Sequence, residues 1–250
     1  MGSSPRKGEI IAVGLCGAAG RMGRELFRAA ALSADIIIAK AYEASGHRSL
    51  NTQIGEAVIQ PDDAPDFLDG CQALVDFSAP PEALLPHLRH AAEKKVAAVI
   101  GSTGFSPEIR AQMERLAPQI PLLYSANMSL GINLLTLLAR RVQELLPGAF
   151  DVDIIEMHHR SKRDTPSGTA MMIAQQLQQV TPGQKISQHS LRAGDVIGEH
   201  TVLFTGVGER LELTHRAASR EAFALGTLAA VRFIVTAKPG FYDMHHVLGI

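Results

Sequence analysis

The chain has 250 residues, 46% of them hydrophobic and 20% charged, with a formal net charge of -1. That length holds one large domain or two small ones around a real core. A near-neutral balance gives no footprint for nucleic acid, so a small anionic ligand would have to be met by local charges. The two cysteines, Cys16 and Cys71, fall in no C-x-x-C or zinc spacing, which argues against a disulfide framework or a metal site and for a reducing cytoplasm. The start, Met1 to Lys7, is polar and reads as no signal peptide, and the apolar runs are too short to span a membrane. The expectation is a soluble, cytoplasmic protein with no membrane, nucleic-acid or metal partner.

In chain order, Ile10 to Leu15 is a β-branched run ending in glycines and predicts a buried strand. Arg21 to Leu32 places Met22, Leu26, Phe27 and Ala30 at helical spacing. Strands follow at Asp35 to Tyr42, Ala73 to Phe77, Val96 to Ile100 and Ile120 to Tyr124, with helices at Pro81 to Lys95 and Pro107 to Leu116. Strand–helix alternation of this kind signals a parallel sheet covered by helices. Beyond it, Leu130 to Leu146 predicts one long helix, Phe150 to His158 a strand and Ser167 to Val180 a helix. Ser187 to Ala193, Glu199 to Phe204 and Leu211 to His215 alternate between Gly-rich turns and read as an antiparallel or mixed sheet. A last helix is expected over Ser219 to Val235. The fold class is therefore α/β: a Rossmann-like parallel-sheet domain, then an α+β domain, with the boundary near Asn127 to Ser129.

The first strand runs into Gly14-Leu15-Cys16-Gly17-Ala18-Ala19-Gly20-Arg21-Met22-Gly23. Glycines let the backbone turn sharply and approach a pyrophosphate, which helix N-terminal N–H groups then bind. The spacing departs from G-x-G-x-x-G, and a tight turn without a ligand is the competing reading. Glu43 follows the second strand, where a carboxylate can accept hydrogen bonds from an adenosine ribose. Two later turns, Gly101-Ser102-Thr103 and Ser125-Ala126-Asn127-Met128, follow strands and suit a flat nicotinamide, although Gly and Ser also serve as plain turn residues.

The densest polar stretch is Glu156 to Ala170, E-M-H-H-R-S-K-R-D-T-P-S-G-T-A. It is either a solvated loop or a site. As a site, Ser167 caps the next helix, whose N–H groups at Gly168 and Thr169 are left to hold an anion, with Lys162 and Arg163 adding positive charge. A histidine supplies a proton near neutral pH. His158 and His159 are adjacent on a strand and point to opposite faces, which argues against a shared metal ion.

Together, G-A-A-G-R-M-G (17–23) and E-x-H-H-x-x-K-x-D-x-P-S-G-T-A (156–170) closely resemble the dihydrodipicolinate reductase family. So do R-A-G-D-V-I-G-E-H-T (192–201), G-E-R-L-E-L-T-H-R-A (208–217) and F-Y-D-M-H-H-V-L (241–248). The resemblance spans nearly the whole chain. It implies a dinucleotide-binding domain over 1–128, joined by the returning segment 241–250, and a substrate and tetramerisation domain over 129–240. It implies cofactor contacts at Gly17, Ala18, Ala19, Gly20, Arg21, Met22, Glu43, Gly101, Ser102, Thr103, Ser125, Ala126, Asn127 and Met128. It further implies His158 and Lys162 as proton-transfer groups, and His159, Gly168 and Thr169 as contacts to a cyclic dicarboxylate. The implied reaction is loss of water and reduction with NADH or NADPH, by a homotetramer. Many relatives carry arginine where this chain has Ala44 and Ala79, so NADH is expected, with NADPH tolerated. A semialdehyde dehydrogenase on the same scaffold would need an activated cysteine, and a silent dinucleotide sensor would have no use for His158 with Lys162.

Overall fold

The computed structural model describes residues 10–249; the polar stretch Met1 to Lys7 lies outside them. In chain order the elements are β1 (Ile11–Cys16), α1 (Arg21–Ala31), β2 (Ile36–Glu43), β3 (Gln53–Ile54), β4 (Ala57–Pro61), β5 (Ala73–Asp76), α2 (Leu84–Lys94), β6 (Ala97–Ile100), α3 (Pro107–Leu116), β7 (Pro121–Tyr124), α4 (Leu130–Leu145), β8 (Asp151–His158), α5 (Gly168–Val180), β9 (Ile186–Arg192), β10 (Gly198–Thr205), β11 (Arg210–Ala217), α6 (Glu221–Ile234), β12 (Gly240–Tyr242) and α7 (Met244–Leu248). Among the described residues two compact units emerge, one of residues 10–128 with 223–249, the other of residues 129–222.

The first unit carries an eight-stranded sheet ordered β12-β7-β6-β5-β1-β2-β4-β3. All neighbours are parallel except β3 and β4. The four residues of β5 and the four of β6 are all buried, as expected for strands covered on both faces. Leu74, Ala98, Ile100 and Leu122 pack there against Leu84, Leu88 and Ala91 of α2 and Met113 of α3. The strand order reverses between β1 and β5, and in open α/β sheets that switch point is where a crevice opens at the strands' carboxyl ends.

Three departures from the sequence reading have physical causes. The helix expected from Pro81 begins as a tight 3-10 turn at Pro81–Ala83, and α2 starts only at Leu84. Pro86 has no N–H to close a regular α-turn back to residue 82. The short β3–β4 hairpin turns at Gly55, which has positive φ, and its strands are too short to leave a periodic signal. The third departure concerns the boundary of the second domain, expected at residue 240. From Phe223 onward, most of α6 instead groups with the first unit. Arg232 of α6 forks onto Asp35 beside β2, with Nε and Nη2 donating to the two carboxylate oxygens at 2.8 and 2.7 Å. This pairing holds the Asp35 carboxyl well below its ordinary range. β12 then lies parallel beside β7.

The second unit holds a four-stranded sheet ordered β11-β10-β8-β9. β10 is antiparallel to both neighbours and β8 is parallel to β9, so the sheet is mixed. After an exposed Asp151, β8 alternates between buried and half-buried residues. Its buried Val152 and Ile154 pack with Val202 and Phe204 against Ile132, Leu135, Ala139, Ile173 and Leu177 of α4 and α5. That alternation turns Glu156 and His158 to the same, helix-covered face.

At Gly23 a Cβ would lie 2.3 Å from the carbonyl oxygen of Ala18 and 2.5 Å from that of Gly17, so α1 and the preceding turn touch backbone to backbone. Gly23→Ala is expected to cost about 1–3 kcal/mol through overpacking. The check is a fall of about 2–10 °C in the thermal midpoint; an unchanged midpoint would show that the helix can move away freely.

Candidate active site

In the first unit, the turn after β1 is shaped by the backbone. Gly17 has φ +76°, and a Cβ there would meet the Phe77 carbonyl oxygen at 2.6 Å. The N–H groups of Gly17 and Ala18 both donate to the Tyr42 carbonyl, at 3.1 and 3.2 Å. Ala19 N–H donates to Glu43 Oε1 at 2.7 Å, and Gly20 N–H to the Gly17 carbonyl at 3.1 Å. Residues 17–20 therefore shape the turn with their N–H groups committed. The groups left to meet an anion are those of Arg21, Met22 and Gly23, because the first turn of a helix has no internal acceptor. No side chain caps α1, and no acid sits in its first turn. Ser106, Ser129 and Ser167 cap α3, α4 and α5. An uncapped helix start beside a glycine cradle fits a dinucleotide pyrophosphate.

Glu43, at the end of β2, is tied to this turn through Ala19. Gly101 and Ser102 follow β6, and their N–H groups donate to the Asp76 carbonyl. Ser125 Oγ donates to the Asn127 carbonyl at 2.8 Å and accepts from its N–H, while Met128 is buried. All these residues lie at the carboxyl ends of parallel strands. Cys16 is buried, and burial pushes its thiol well above the ordinary range, so it is no nucleophile.

In the second unit the polar loop is organised by one carboxylate. Glu156 of β8 is fully buried. Arg192 of β9 grips it bidentately, Nη1 to Oε2 and Nη2 to Oε1, both at 2.9 Å. Ser167 N–H donates to Oε1 at 3.2 Å, and His158 Nδ1 makes a short contact with Oε2. Burial raises the Glu156 carboxyl, but hydrogen bonds from Arg192, Ser190 and His158 outweigh it and hold it at about 2. An ionised Glu156 fixes the proton of His158 on Nδ1 and leaves Nε2 as an acceptor. Burial lowers the His158 pKa below its ordinary value of 6.5 despite Glu156, helped by the nearby charges of Lys162 and Arg192. The imidazole is therefore neutral near pH 7. At Gly198 a Cβ would lie 3.1 Å from His158 Nε2, so glycine keeps space open at that nitrogen. His200 stands edge-on to His158, ring centroids 5.1 Å apart. Burial lowers it to about 3, so it stays neutral, beside Ser167 Oγ at 3.2 Å.

Arg192 Nη2 also donates to the Asp164 carbonyl at 2.6 Å and to Thr165 Oγ1 at 3.2 Å, which stitches the polar loop to the sheet. Ser167 caps α5 as expected, accepting from Ala170 N–H at 3.1 Å. Gly168 N–H interacts with the Asp164 carboxylate, to which Lys162 Nζ also donates at 2.8 Å. Burial raises the Asp164 carboxyl, but these contacts outweigh it and hold it low. The chain's own carboxylate thus rests on the lysine and helix start that the sequence assigns to a carboxylate ligand. His159 is turned away from His158, with Nδ1 2.8 Å from Ser161 Oγ. Sequence reasoning missed Arg192 and His200. Their signal is the R-A-G-D-V-I-G-E-H-T stretch, which nothing local marks as part of the site.

The uncapped dinucleotide cradle, together with a buried Glu–His pair beside a cationic helix start, defines a pyridine-nucleotide-dependent oxidoreductase of Rossmann type acting on a small carboxylate. Residues 11–128 match the family description "Dihydrodipicolinate reductase, N-terminus", and residues 131–248 match "Dihydrodipicolinate reductase, C-terminus". The chain is 40% identical to a 4-hydroxy-tetrahydrodipicolinate reductase of Anaeromyxobacter sp. (strain Fw109-5), over 96% of its own length and 98% of the relative's. It is 38% identical to one of Trichlorobacter lovleyi, over 96% and 100%. A dipicolinate-bound dihydrodipicolinate reductase from Paenisporosarcina sp. TG-14 has the same fold, with a TM-score of 0.81 at 24% identity, covering 95% of this chain and 99% of that one. The chain belongs to the dihydrodipicolinate reductase family.

Glu156→Gln is expected to destabilise the protein at pH 7 by about 3 kcal/mol, because a fully buried carboxylate is removed and Arg192, itself half-buried, loses its counter-ion. The carboxyl is depressed, so its contribution is present above the ordinary value of 4.5 and is lost as pH falls toward about 2. Denaturant titrations of both proteins should therefore converge between pH 4.5 and 2; a pH-independent gap would contradict the assignment.

Proposed function

We propose that His158 and Lys162 are the proton-transfer groups of the family's reaction, the reduction of 4-hydroxy-tetrahydrodipicolinate to tetrahydrodipicolinate with loss of water in lysine and diaminopimelate biosynthesis. The observation that carries this reading is the Glu156–His158 pair, which presents a neutral imidazole with Nε2 open beside Gly198. The reaction removes hydroxide from ring C4 and a proton from the adjoining ring carbon. It then adds a hydride at C4 and a proton at that same neighbour. Neutral His158 takes the proton lost in the first half and returns it in the second, while Glu156 stabilises the imidazolium between the two. The Lys162 ammonium protonates the departing hydroxide, which leaves as water. Substrate carboxylates are held by His159, by Gly168 and Thr169 at the start of α5, and by Lys162.

The bound nicotinamide nucleotide supplies the hydride. Arg21 and Met22 hold its pyrophosphate by backbone N–H, with Gly17, Ala18, Ala19 and Gly20 shaping the turn. Glu43 accepts from the adenosine ribose. Residues 101–103 and 125–128 border the nicotinamide end. NADH is preferred, because Ala44 and Ala79 offer no charge to a 2′-phosphate; Arg21, His47 and Arg48 let NADPH bind more weakly. The protein works as a homotetramer in the cytoplasm. Exposed Leu134, Leu138, Leu145 and Leu191 of the second unit give it apolar surface for association, and two buried free thiols suit a reducing compartment.

His158→Gln and Lys162→Ala are each expected to lower kcat by about 100-fold or more with the cooperative unfolding transition kept. The assay follows nicotinamide absorbance while the preceding synthase makes substrate in place. The acid limb of wild-type kcat/KM should lie below pH 6.5, where His158 protonates, and should vanish from the residual activity of His158→Gln. Near-normal turnover in both variants would remove the assignment. Ala44→Arg tests the nucleotide preference: the wild type should favour NADH in kcat/KM, and the variant should shift the ratio toward NADPH by about tenfold, the worth of one charge-assisted contact. A wild type that favours NADPH would overturn it.

A further inference from the structure

Away from the proton-transfer groups, the first unit contains a second buried ionic cluster. Asp76 closes β5 and is fully buried. Its Oδ1 accepts from Ser78 N–H at 2.9 Å, Ser78 Oγ at 2.6 Å and Ser102 Oγ at 2.8 Å. Its Oδ2 lies 2.7 Å from His87 Nδ1, on α2. The other ring nitrogen of His87 lies 3.1 Å from Asp62 Oδ2, just after β4. His87 is 3% exposed and stacks on Phe67 at 5.6 Å. With a carboxylate at each nitrogen, both nitrogens donate and the ring is an imidazolium. Burial opposes that charge, but Asp76 and Asp62 outweigh it and raise the His87 pKa above its ordinary value.

Cys16, Asp76 and His87 have ligand atoms close enough to share a metal ion. The hydrogen bonds argue otherwise: both His87 nitrogens are spent on carboxylates, both Asp76 oxygens are in use, and burial keeps the Cys16 thiol protonated. A fully bonded buried network of this kind fixes geometry. What it fixes are the loops after β5 and β6. Ser78 and Ser102 both hang on Asp76 Oδ1, and the ring of Phe77 lies where a Cβ of Gly101 would be, 2.2 Å from it.

We propose that His87 is a positioning residue for the nicotinamide end of the cofactor: held between Asp62 and Asp76, it aims Asp76 so that Ser78 and Ser102 set the loops at 77–78 and 101–103. His87 touches neither cofactor nor substrate. The adenosine end depends on it less, because Glu43 and Asp62 are joined by a backbone hydrogen bond of the β2–β4 ladder, 2.9 Å from Asp62 N to the Glu43 carbonyl. The inference rests on the placement of the nicotinamide against residues 101–103 given above.

The test is calorimetric titration of wild type, His87→Gln, Ser102→Ala and the double variant with NADH and with ADP-ribose, which lacks the nicotinamide. Wild type should bind NADH more tightly than ADP-ribose; equal binding would remove the placement of the nicotinamide itself. His87→Gln should weaken NADH by about tenfold, as loss of a charged hydrogen bond does, and leave ADP-ribose within about twofold. KM for NADH should rise in step while kcat at saturating NADH changes less. Adding Ser102→Ala to His87→Gln should cost less than Ser102→Ala costs alone, since both act on one relay. Equal weakening of both ligands, or none, would overturn the proposal, as would stoichiometric zinc in the purified protein. If His87→Gln does not fold, Ser102→Ala decides: unchanged NADH affinity would overturn the relay.

Discussion

A carboxylate buried without solvent is expensive unless every lone pair is met, and once it is met it dictates where its partners stand. Glu156 is that group in the second unit. Arg192, His158 and the Ser167 N–H converge on its two oxygens from a neighbouring strand, its own strand and the start of α5. The tautomer of His158, the anchoring of the polar loop through Arg192, and the entry of the chain into α5 all depend on it. Asp76 has the corresponding place in the first unit, at the end of β5, where His87 and two serines satisfy it. Each unit uses one satisfied internal anion to hold loops that would otherwise have only their ends fixed.

The two anions differ in the charge they leave behind, and the difference follows from their partners. Glu156 already has a permanent counter-ion in Arg192, so His158 gains little from becoming cationic and burial keeps it neutral. Asp76 has no arginine, and His87 has a second carboxylate in Asp62, so there the imidazolium is favoured. Two histidines, each against a buried carboxylate, thus rest in opposite protonation states. One is suited to moving a proton and the other to holding a fixed charge.

Anion recognition in the two units also follows two designs. α1 begins without a side-chain cap, and the turn before it spends the N–H groups of residues 17–20 internally. α5 begins with a serine cap and has a loop carboxylate, Asp164, resting against Gly168 and Lys162. The first arrangement leaves the helix N–H groups bare for a phosphate. The second keeps a cationic corner satisfied by a group of the ligand's own chemistry.

Much of this protein is legible in its sequence by itself. Period-2 and period-3.6 patterns locate the longer strands and helices, because each must turn an apolar face to a core, and miss the short β3, β4, β12 and α7. The glycine turn, Ser167 and the E-x-H-H-x-x-K segment announce themselves because their roles are local: positive φ, capping and short-range charge are properties of neighbours in the chain. Tertiary structure decided what depends on distance in sequence. Arg192 is 36 residues from Glu156 and Arg232 is 197 from Asp35, so no window contains either pair. Most of α6 groups with the first unit, to which Arg232 is tied through Asp35, where sequence placed it in the second. His87 is one histidine among ten in the sequence, and its environment exists only once β4, β5 and α2 are packed. Protonation state, above all, is set by burial and by partners brought in from elsewhere, and a sequence carries neither.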